Sequence, residues 1–270
     1  MNSVSRLCFV FALATLASGC AHRSKEAEAA SRIELARPPA FLTGPAALLL
    51  TNTSGFIGSI QVESYPIATA SSSGGAANER LTGELLARGS KFFFVPEQTS
   101  RRKRAGSGGI SFIWDAAESK GFVLSEALQG YAPISSARRY TNIVTRSQDN
   151  FAAEKIAGHV CQRVIVLAQA ADGANSSLDV WRALELQEFP LRIVSTNFTA
   201  FDLRFSKIDL QSPAADLFSP PNGFTSYQSL EAMMNELAAR QHDIRRTGLG
   251  PPGPPPELQE PGLRPPPYRP

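Results

Sequence analysis

Apolar and polar residues alternate along most of the chain between residues 45 and 210. The pattern has a period of two or consists of short apolar runs, and turn residues bound each run, as is typical of β-strands. Short links such as Gly89-Ser90 and Asp172-Gly173 suit hairpin turns. The predicted strands are Ala47–Thr51, Gly55–Tyr65, Arg80–Arg88, Lys91–Pro96, Ile110–Asp115, Gly121–Glu126, Thr141–Arg146, Val160–Ala168, Leu178–Leu186, Leu191–Asn197 and Thr199–Leu210.

One segment near the C-terminus instead has the spacing of an amphipathic helix. Its apolar face consists of Leu230, Met233, Met234, Leu237 and Ile244. Ser229 precedes these residues and can cap the helix. We therefore predict a mainly β fold, an antiparallel meander with one C-terminal helix packed on it.

The N-terminus has the pattern of a secretory signal. Basic Arg6 is followed by an apolar stretch from Leu7 to Leu16 and then by small residues up to Cys20. The apolar stretch is about ten residues long, well short of the roughly 20 that span a bilayer. A Cys directly after small residues resembles the lipobox of bacterial lipoproteins. The alternative is an ordinary cleaved signal peptide with an incidental Cys.

The lipobox resemblance implies cleavage before Cys20, acylation of its thiol, for example with palmitate, and a membrane anchor. Several acyl chains anchor a protein stably, whereas one does so only marginally. Ala21 stands where an Asp retains many lipoproteins at the inner membrane, so in a Gram-negative cell we expect the periplasmic side of the outer membrane. The other two of the three cysteines are Cys8, in the signal, and Cys161, so no intrachain disulfide is expected in the mature protein.

Composition divides the chain into four parts. Residues 1–19 form the predicted signal peptide, and the polar residues 20–44 form a lipidated tether. Residues 45–247 form one domain of about 200 residues, which is long enough to bury a core. Residues 248–270 are about half proline, which favours a disordered, extended tail. The tail is alternatively a ligand for a partner or a spacer toward the cell wall.

The bulk numbers and the scattered polar residues exclude several classes of function. The chain is 43% hydrophobic and 19% charged, as in a globular protein, and its net charge of +3 is too small to indicate nucleic-acid binding. His22, His159 and His242 do not have metal-ligand spacing, so we predict no metal and no cofactor. Cys161 could be a nucleophile beside His159, but a buried apolar Cys is the simpler interpretation. We therefore predict that the protein is not an enzyme.

A run of four basic residues is the sharpest charge feature of the chain. The run is Arg101, Arg102, Lys103 and Arg104. Because it lies between two predicted strands, a solvated hairpin loop explains it. Basic side chains near an anionic membrane contribute about 1 kcal/mol each, so the run is also a candidate contact to anionic headgroups or to an acidic surface.

Aromatic residues are dense on the predicted strands. Phe92, Phe93 and Phe94 are consecutive, so both faces of their strand carry an aromatic ring. Such a strand must be covered on both faces, by the helix on one and by loops, a ligand or a partner on the other. The candidate lining of an apolar cavity is Phe92, Phe94, Phe112, Trp114, Trp181, Met233, Met234 and Leu237. An ordinary filled core is the alternative.

Three motifs occur in order in the C-terminal half. They are IAGHVC at 156–161, a Val180-Trp181 pair followed by Phe189-Pro190-Leu191, and LFSPPNGF at 217–224 followed by Tyr227. Together they resemble a bacterial lipoprotein family of unknown function in the LolA/LolB-like, outer-membrane lipoprotein carrier-like group. The resemblance covers about residues 45–235 and leaves out the tether, the basic run and the tail.

This resemblance implies a curved antiparallel sheet, an incomplete barrel of about ten or eleven strands with helices against its concave side. In LolA- and LolB-type members that cavity takes the acyl chains of lipoproteins. We therefore expect a non-catalytic, lipid-anchored envelope lipoprotein that binds an acyl chain, a lipid or another lipoprotein. The alternative is an envelope scaffold with a filled core that acts through its basic loop or proline-rich tail.

Overall fold

The computed structural model describes residues 36–65, 79–97, 109–146, 152–195 and 200–247. Within them the chain forms one 13-stranded sheet. The strands are β1 (Phe56–Tyr65), β2 (Glu79–Arg88), β3 (Lys91–Pro96), β4 (Ile110–Asp115), β5 (Lys120–Ser125), β6 (Gly130–Ser135), β7 (Tyr140–Arg146), β8 (Glu154–Ile156), β9 (His159–Ala170), β10 (Asn175–Ala183), β11 (Phe189–Ser195), β12 (Ala200–Asp209) and β13 (Thr225–Ser226). The helices are α1 (Ala40–Thr43), α2 (Pro45–Leu50) and α3 (Leu230–Thr247), with 3-10 turns at Leu184–Leu186 and Ala215–Phe218.

The order of the strands is β13-β6-β5-β4-β3-β2-β1-β12-β11-β10-β9-β7, and β8 adds to β9. All pairs are antiparallel except β13 with β6. The sheet is therefore two meanders joined where β1 pairs with β12 along nearly their whole length. The prediction of a mainly β, antiparallel fold with a C-terminal helix is confirmed.

The link between β6 and β7 shows that the sheet is strongly curved. In a flat sheet these two strands would lie about 50 Å apart, at roughly 4.8 Å per strand. Residues 136–139 nevertheless join them, and this link reaches less than about 20 Å. The two edges therefore approach each other at one end, although no ladder pairs β6 with β7. The result is an open, incomplete barrel, as predicted.

The short helices α1 and α2 lie inside this curve. They contact β7, β11 and β12, and the ring of Phe41 packs edge-on against Phe94 of β3 at 5.3 Å between centroids. One short segment can touch strands so far apart in the sheet only from the concave side. Phe41, Leu42 and Leu50 are completely buried there. The domain therefore includes residues from Ala36 onward, which the sequence had placed in the tether.

The helix α2 corrects the prediction of a strand at Ala47–Thr51. A short buried apolar run does not distinguish strand from helix by its periodicity. Pro45 at the first helical position and the Ala and Leu residues after it favour the helix.

Three strands were not predicted from the sequence. β6 contains Pro133, which disfavours a strand by pattern but is tolerated near the edge of a sheet. β8 and β13 are too short to show a period. Conversely, the predicted strand end Leu184–Leu186 is a 3-10 turn.

Candidate functional site

Four of the residues predicted to line a cavity lie together on the concave face. Phe92 pairs with Trp114, and Phe94 pairs with Phe112, across β3 and β4. Strand alternation turns all four side chains to the same face, and each is at most 2% exposed. Phe94 and Phe112 stack at 6.3 Å.

The predicted helix supplies three more buried residues, Met233, Met234 and Leu237, which belong to the same apolar cluster. The Ser229 hydroxyl accepts a hydrogen bond from the backbone N–H of Ala232 at 3.1 Å, as expected for a cap. α3 contacts β6, and the ring of Tyr227 covers Gly130 at the start of that strand.

The remaining predicted residue, Trp181, lies on the opposite, convex face. Its register partner on β11 is Arg192, whereas the adjacent Val180 pairs with the buried Ile193. The guanidinium of Arg192 lies 4.5 Å from the indole centroid and that of Arg163 lies 5.2 Å from it. Trp181 therefore forms cation–π contacts on the convex face, although it belongs to the same buried apolar cluster as the other predicted residues.

The concave interior around the predicted residues is packed. Rings of Phe56, Phe189 and Phe205 contact one another at 5.0–5.7 Å between centroids. A cavity of about 170 Å³ lies beside α1, and residues with hydroxyl groups, such as Ser176 and Ser195, line part of it. That volume is below the roughly 300–1,000 Å³ of ordinary small-molecule sites.

A larger open volume lies on the convex face, and we call it the convex groove. Its volume is about 560 Å³. Its floor is a cross-strand row of Ile113, Phe122 and Pro133 from β4, β5 and β6. Phe218 and Pro220 form one wall. Phe93 points to the same face, because it pairs with Ile113. The sequence predicted that this face of β3 would need a cover, and the groove lies on it.

The wall of the convex groove belongs to a strap, residues 210–224, which crosses the sheet from β12 to β13. The strap is fixed early in its course, where Nη1 of Arg88 donates to the carbonyl oxygen of Pro213 at 3.1 Å. Further on, the ring of Phe218 is 4% exposed. Lys91 and Lys120 lie at the groove, with Asp115 between them in the register. The groove thus combines an apolar floor with charged groups at one end.

A carboxylate shared by two arginines lies beside Trp181. Asp202 is 4% exposed and accepts two hydrogen bonds each from Arg192 and Arg204, at 2.6–3.1 Å. Burial raises the pKa of Asp202, but the hydrogen bonds from Arg204 and Arg192 lower it more, so its pKa lies below the ordinary value. This network holds β11 and β12 together on the convex face.

We expect the Asp202→Asn variant to lose about 1–2 kcal/mol of unfolding free energy at pH 7. Because the folded-state pKa is depressed, this stabilisation is present above about pH 4 and is lost as the pH falls through the folded-state pKa. Urea unfolding at pH 7 and at pH 3 measures it. The difference between variant and parent should shrink at the lower pH, and an equal difference at both pH values would contradict the assignment.

The described residues do not assemble a nucleophile with a base. The Cys161 thiol is buried and donates to the carbonyl oxygen of His159 at 3.6 Å, while burial raises its pKa. The His159 imidazole instead pairs through Nδ1 with Glu185. A buried thiol with a raised pKa is a poor nucleophile. Among all the residues that the structure describes, no group of three or more His, Cys, Asp or Glu side chains could hold a metal ion.

Other predicted features lie outside the described residues. These are Cys20, the basic run Arg101–Arg104 and the proline-rich residues 248–270. Of the helices that are described, none has the length and apolar character needed to cross a membrane.

No protein-family model matches the chain, and no curated protein has a similar sequence. An uncharacterized conserved protein from Thermus thermophilus aligns over 68% of this chain and 95% of its own, with 11% identity and a TM-score of 0.38. A DUF1329 family protein from Desulfovibrio piger aligns over 70% and 96%, with 9% identity and a TM-score of 0.36. MucB aligns over 66% and 62%, with 10% identity and a TM-score of 0.33. These likenesses are too low to assign a family or a function.

Proposed function

We propose that this protein is a non-catalytic, lipid-anchored protein of the cell envelope that binds an apolar chain, such as an acyl chain, in its convex groove. The anchor is Cys20, and the outer membrane facing the periplasm is its expected location. The observation that carries the proposal is the groove itself, because its volume of about 560 Å³ and apolar floor match an ordinary ligand site.

The packed interior moves the proposed ligand from the concave to the convex side of the sheet. The sequence suggested that Phe92, Phe94 and Phe112 would line the cavity, but all three are completely buried. Ligand entry there would require α1 and α2 to leave, which would expose Phe41 and Leu42. Entry into the convex groove needs no such loss.

A dansyl-labelled palmitate is a suitable probe. Trp114 has its side chain on the concave face, but it lies in β4 at the convex groove and is close enough to transfer energy to a dansyl group bound there. In a Trp181→Phe background, Trp114 is the only tryptophan. Phe122→Asp places a charge on the apolar floor and should weaken binding at least about tenfold. Val95→Asp is the matched control, since Val95 is also on the convex face, is 37% exposed and does not line the groove. Equal affinity for both variants would refute the groove as the binding site.

The packed interior also favours a second function, that of an envelope scaffold acting through contacts with partners. Native mass spectrometry of the protein extracted from membranes separates the two. A carrier should hold lipid in addition to its own anchor, and that extra lipid should be lost in Phe122→Asp. A scaffold should carry the anchor alone.

A further inference from the structure

Among the strands that the structure describes, β7 forms an open edge of the sheet. It pairs with β9 on one side, and no described strand pairs with its other side. The opposite edge differs, because β13 adds to β6 there. Helices contact both edges, α3 at β6 and α2 at β7. β7 reads YTNIVTR, which is rich in β-branched residues and has no Pro or Lys. A register irregularity at Tyr140–Asn142 and the charge of Arg146 are confined to its two ends.

An apolar groove lies beside this edge, and we call it the edge groove. Its volume is about 320 Å³. Val144 of β7, which is 51% exposed, and its register partner Leu167 of β9 supply its apolar part. Amide side chains of Asn142, Gln169 and Asn175 complete it. An edge strand next to a side-chain groove is the arrangement by which proteins recognise extended peptides through strand addition.

Charge decides which extended chain suits the edge. Arg146 lies at the end of β7, is exposed, and lines the edge groove. β7 itself contains no acidic residue, so pairing with β7 of a second copy would bring no carboxylate to Arg146. A different chain can place an apolar side chain against Val144 in the edge groove and an acidic side chain beside Arg146. Such a chain satisfies both the apolar contact and the charge.

We propose that β7 is a docking edge for an extended, acidic segment of a partner protein, which adds to the sheet as an antiparallel or parallel strand. The backbone of β7 supplies the hydrogen bonds, the edge groove receives one apolar side chain, and Arg146 pairs with a carboxylate. This site lies at the β7 edge of the sheet and is separate from the convex groove, which lies on β4, β5 and β6.

The probe for this proposal is a fluorescein-labelled synthetic peptide of nine alternating valines and threonines with a glutamate at each end. Its counterpart has lysine at each end. We expect the glutamate peptide to bind the full chain in the micromolar range and the lysine peptide to bind more weakly. Fluorescence anisotropy gives both affinities. Hydrogen exchange should slow at the β7 amides when the glutamate peptide binds, because strand addition pairs them.

Two variants and one control complete the experiment. Val144→Lys should weaken binding about tenfold or more, since a lysine on an edge strand opposes pairing. Arg146→Glu should weaken the glutamate peptide and strengthen the lysine peptide, each by about fivefold. Val160→Lys is the control, because Val160 is 55% exposed on β9 yet pairs with β8 rather than with β7.

Three results would overturn the proposal. One is an equal loss of binding in Val160→Lys and Val144→Lys. Another is a loss of the peptide site in Phe122→Asp, which would assign the peptide to the convex groove. The third is a dimer in sedimentation experiments that Val144→Lys dissociates, which would make a second copy of the chain the occupant.

Discussion

Replacing Gly121 by alanine should destabilise the domain by about 3 kcal/mol or more. Gly121 lies in β5 opposite Trp114 of β4. A Cβ atom there would overlap the carbonyl oxygen of Ile113 and come within 2.9 Å of the Cα of Trp114. Both obstacles are backbone atoms, so no side-chain rotation relieves them and the two strands would have to separate.

Gly89→Ala is the matched control for Gly121→Ala. Gly89 lies in the turn between β2 and β3 with φ +58°, and a Cβ atom there would meet nothing within 4 Å. Its only cost is the left-handed backbone conformation, about 1 kcal/mol. Urea unfolding followed by far-UV circular dichroism measures both. Similar losses for the two variants would show that steric overlap at Gly121 is relieved by relaxation of the strands.

The Cys20→Ala variant should lose its salt-resistant association with membranes. If the thiol of Cys20 carries the anchoring lipid, alanine leaves nothing to acylate, and the energy of inserting acyl chains, about 0.8 kcal/mol per buried CH₂, disappears. Incorporation of an alkyne-labelled palmitate and fractionation of cell membranes measure the change. Cys161→Ala is the control, since the Cys161 thiol is buried in the core and should take no label. A Cys20→Ala protein that still carries the label would refute the assignment.

The basic run can be tested in the same variant, because the anchor no longer masks a weaker contact. We expect the Cys20→Ala protein to retain salt-dependent binding to vesicles containing phosphatidylglycerol, and reversal of the charges at Arg101–Arg104 to abolish it. Binding that is insensitive to this reversal would leave the run as a solvated loop.

Much of the fold could be predicted from the sequence because the signals are local. Short apolar runs bounded by turn residues marked Lys91–Pro96 and Ile110–Asp115 with the bounds that the structure gives. The cap at Ser229 and the apolar stripe of α3 could also be predicted from the sequence, because each depends on residues only a few positions apart. β6 was not predicted because it contains Pro133, and proline disfavours a strand. The structure tolerates Pro133 because β6 lies near the edge of the sheet.

The candidate site was only partly predictable. The consecutive rings Phe92, Phe93 and Phe94 indicated that both faces of β3 need a cover, but not which face would be filled. Trp181 was assigned to the apolar set because its residue type is apolar. Its place beside Arg163 and Arg192 depends on the register of three strands, which no local pattern encodes.

The sequence by itself determined the class of fold, the C-terminal helix and the hairpin turns, whereas the membrane anchor at Cys20 stays a prediction. Only the tertiary structure decided that β1 pairs with β12, that the link at 136–139 draws β6 and β7 together, and that α1 and α2 occupy the concave side. The physical reason is that whether a segment forms a strand or a helix follows largely from its neighbours along the chain. Which strands pair, and which residues fill the concave interior, depend on the burial of residues far apart in sequence. The space inside the curve was taken by Phe41 and Leu42, from a segment that the sequence had assigned to the tether.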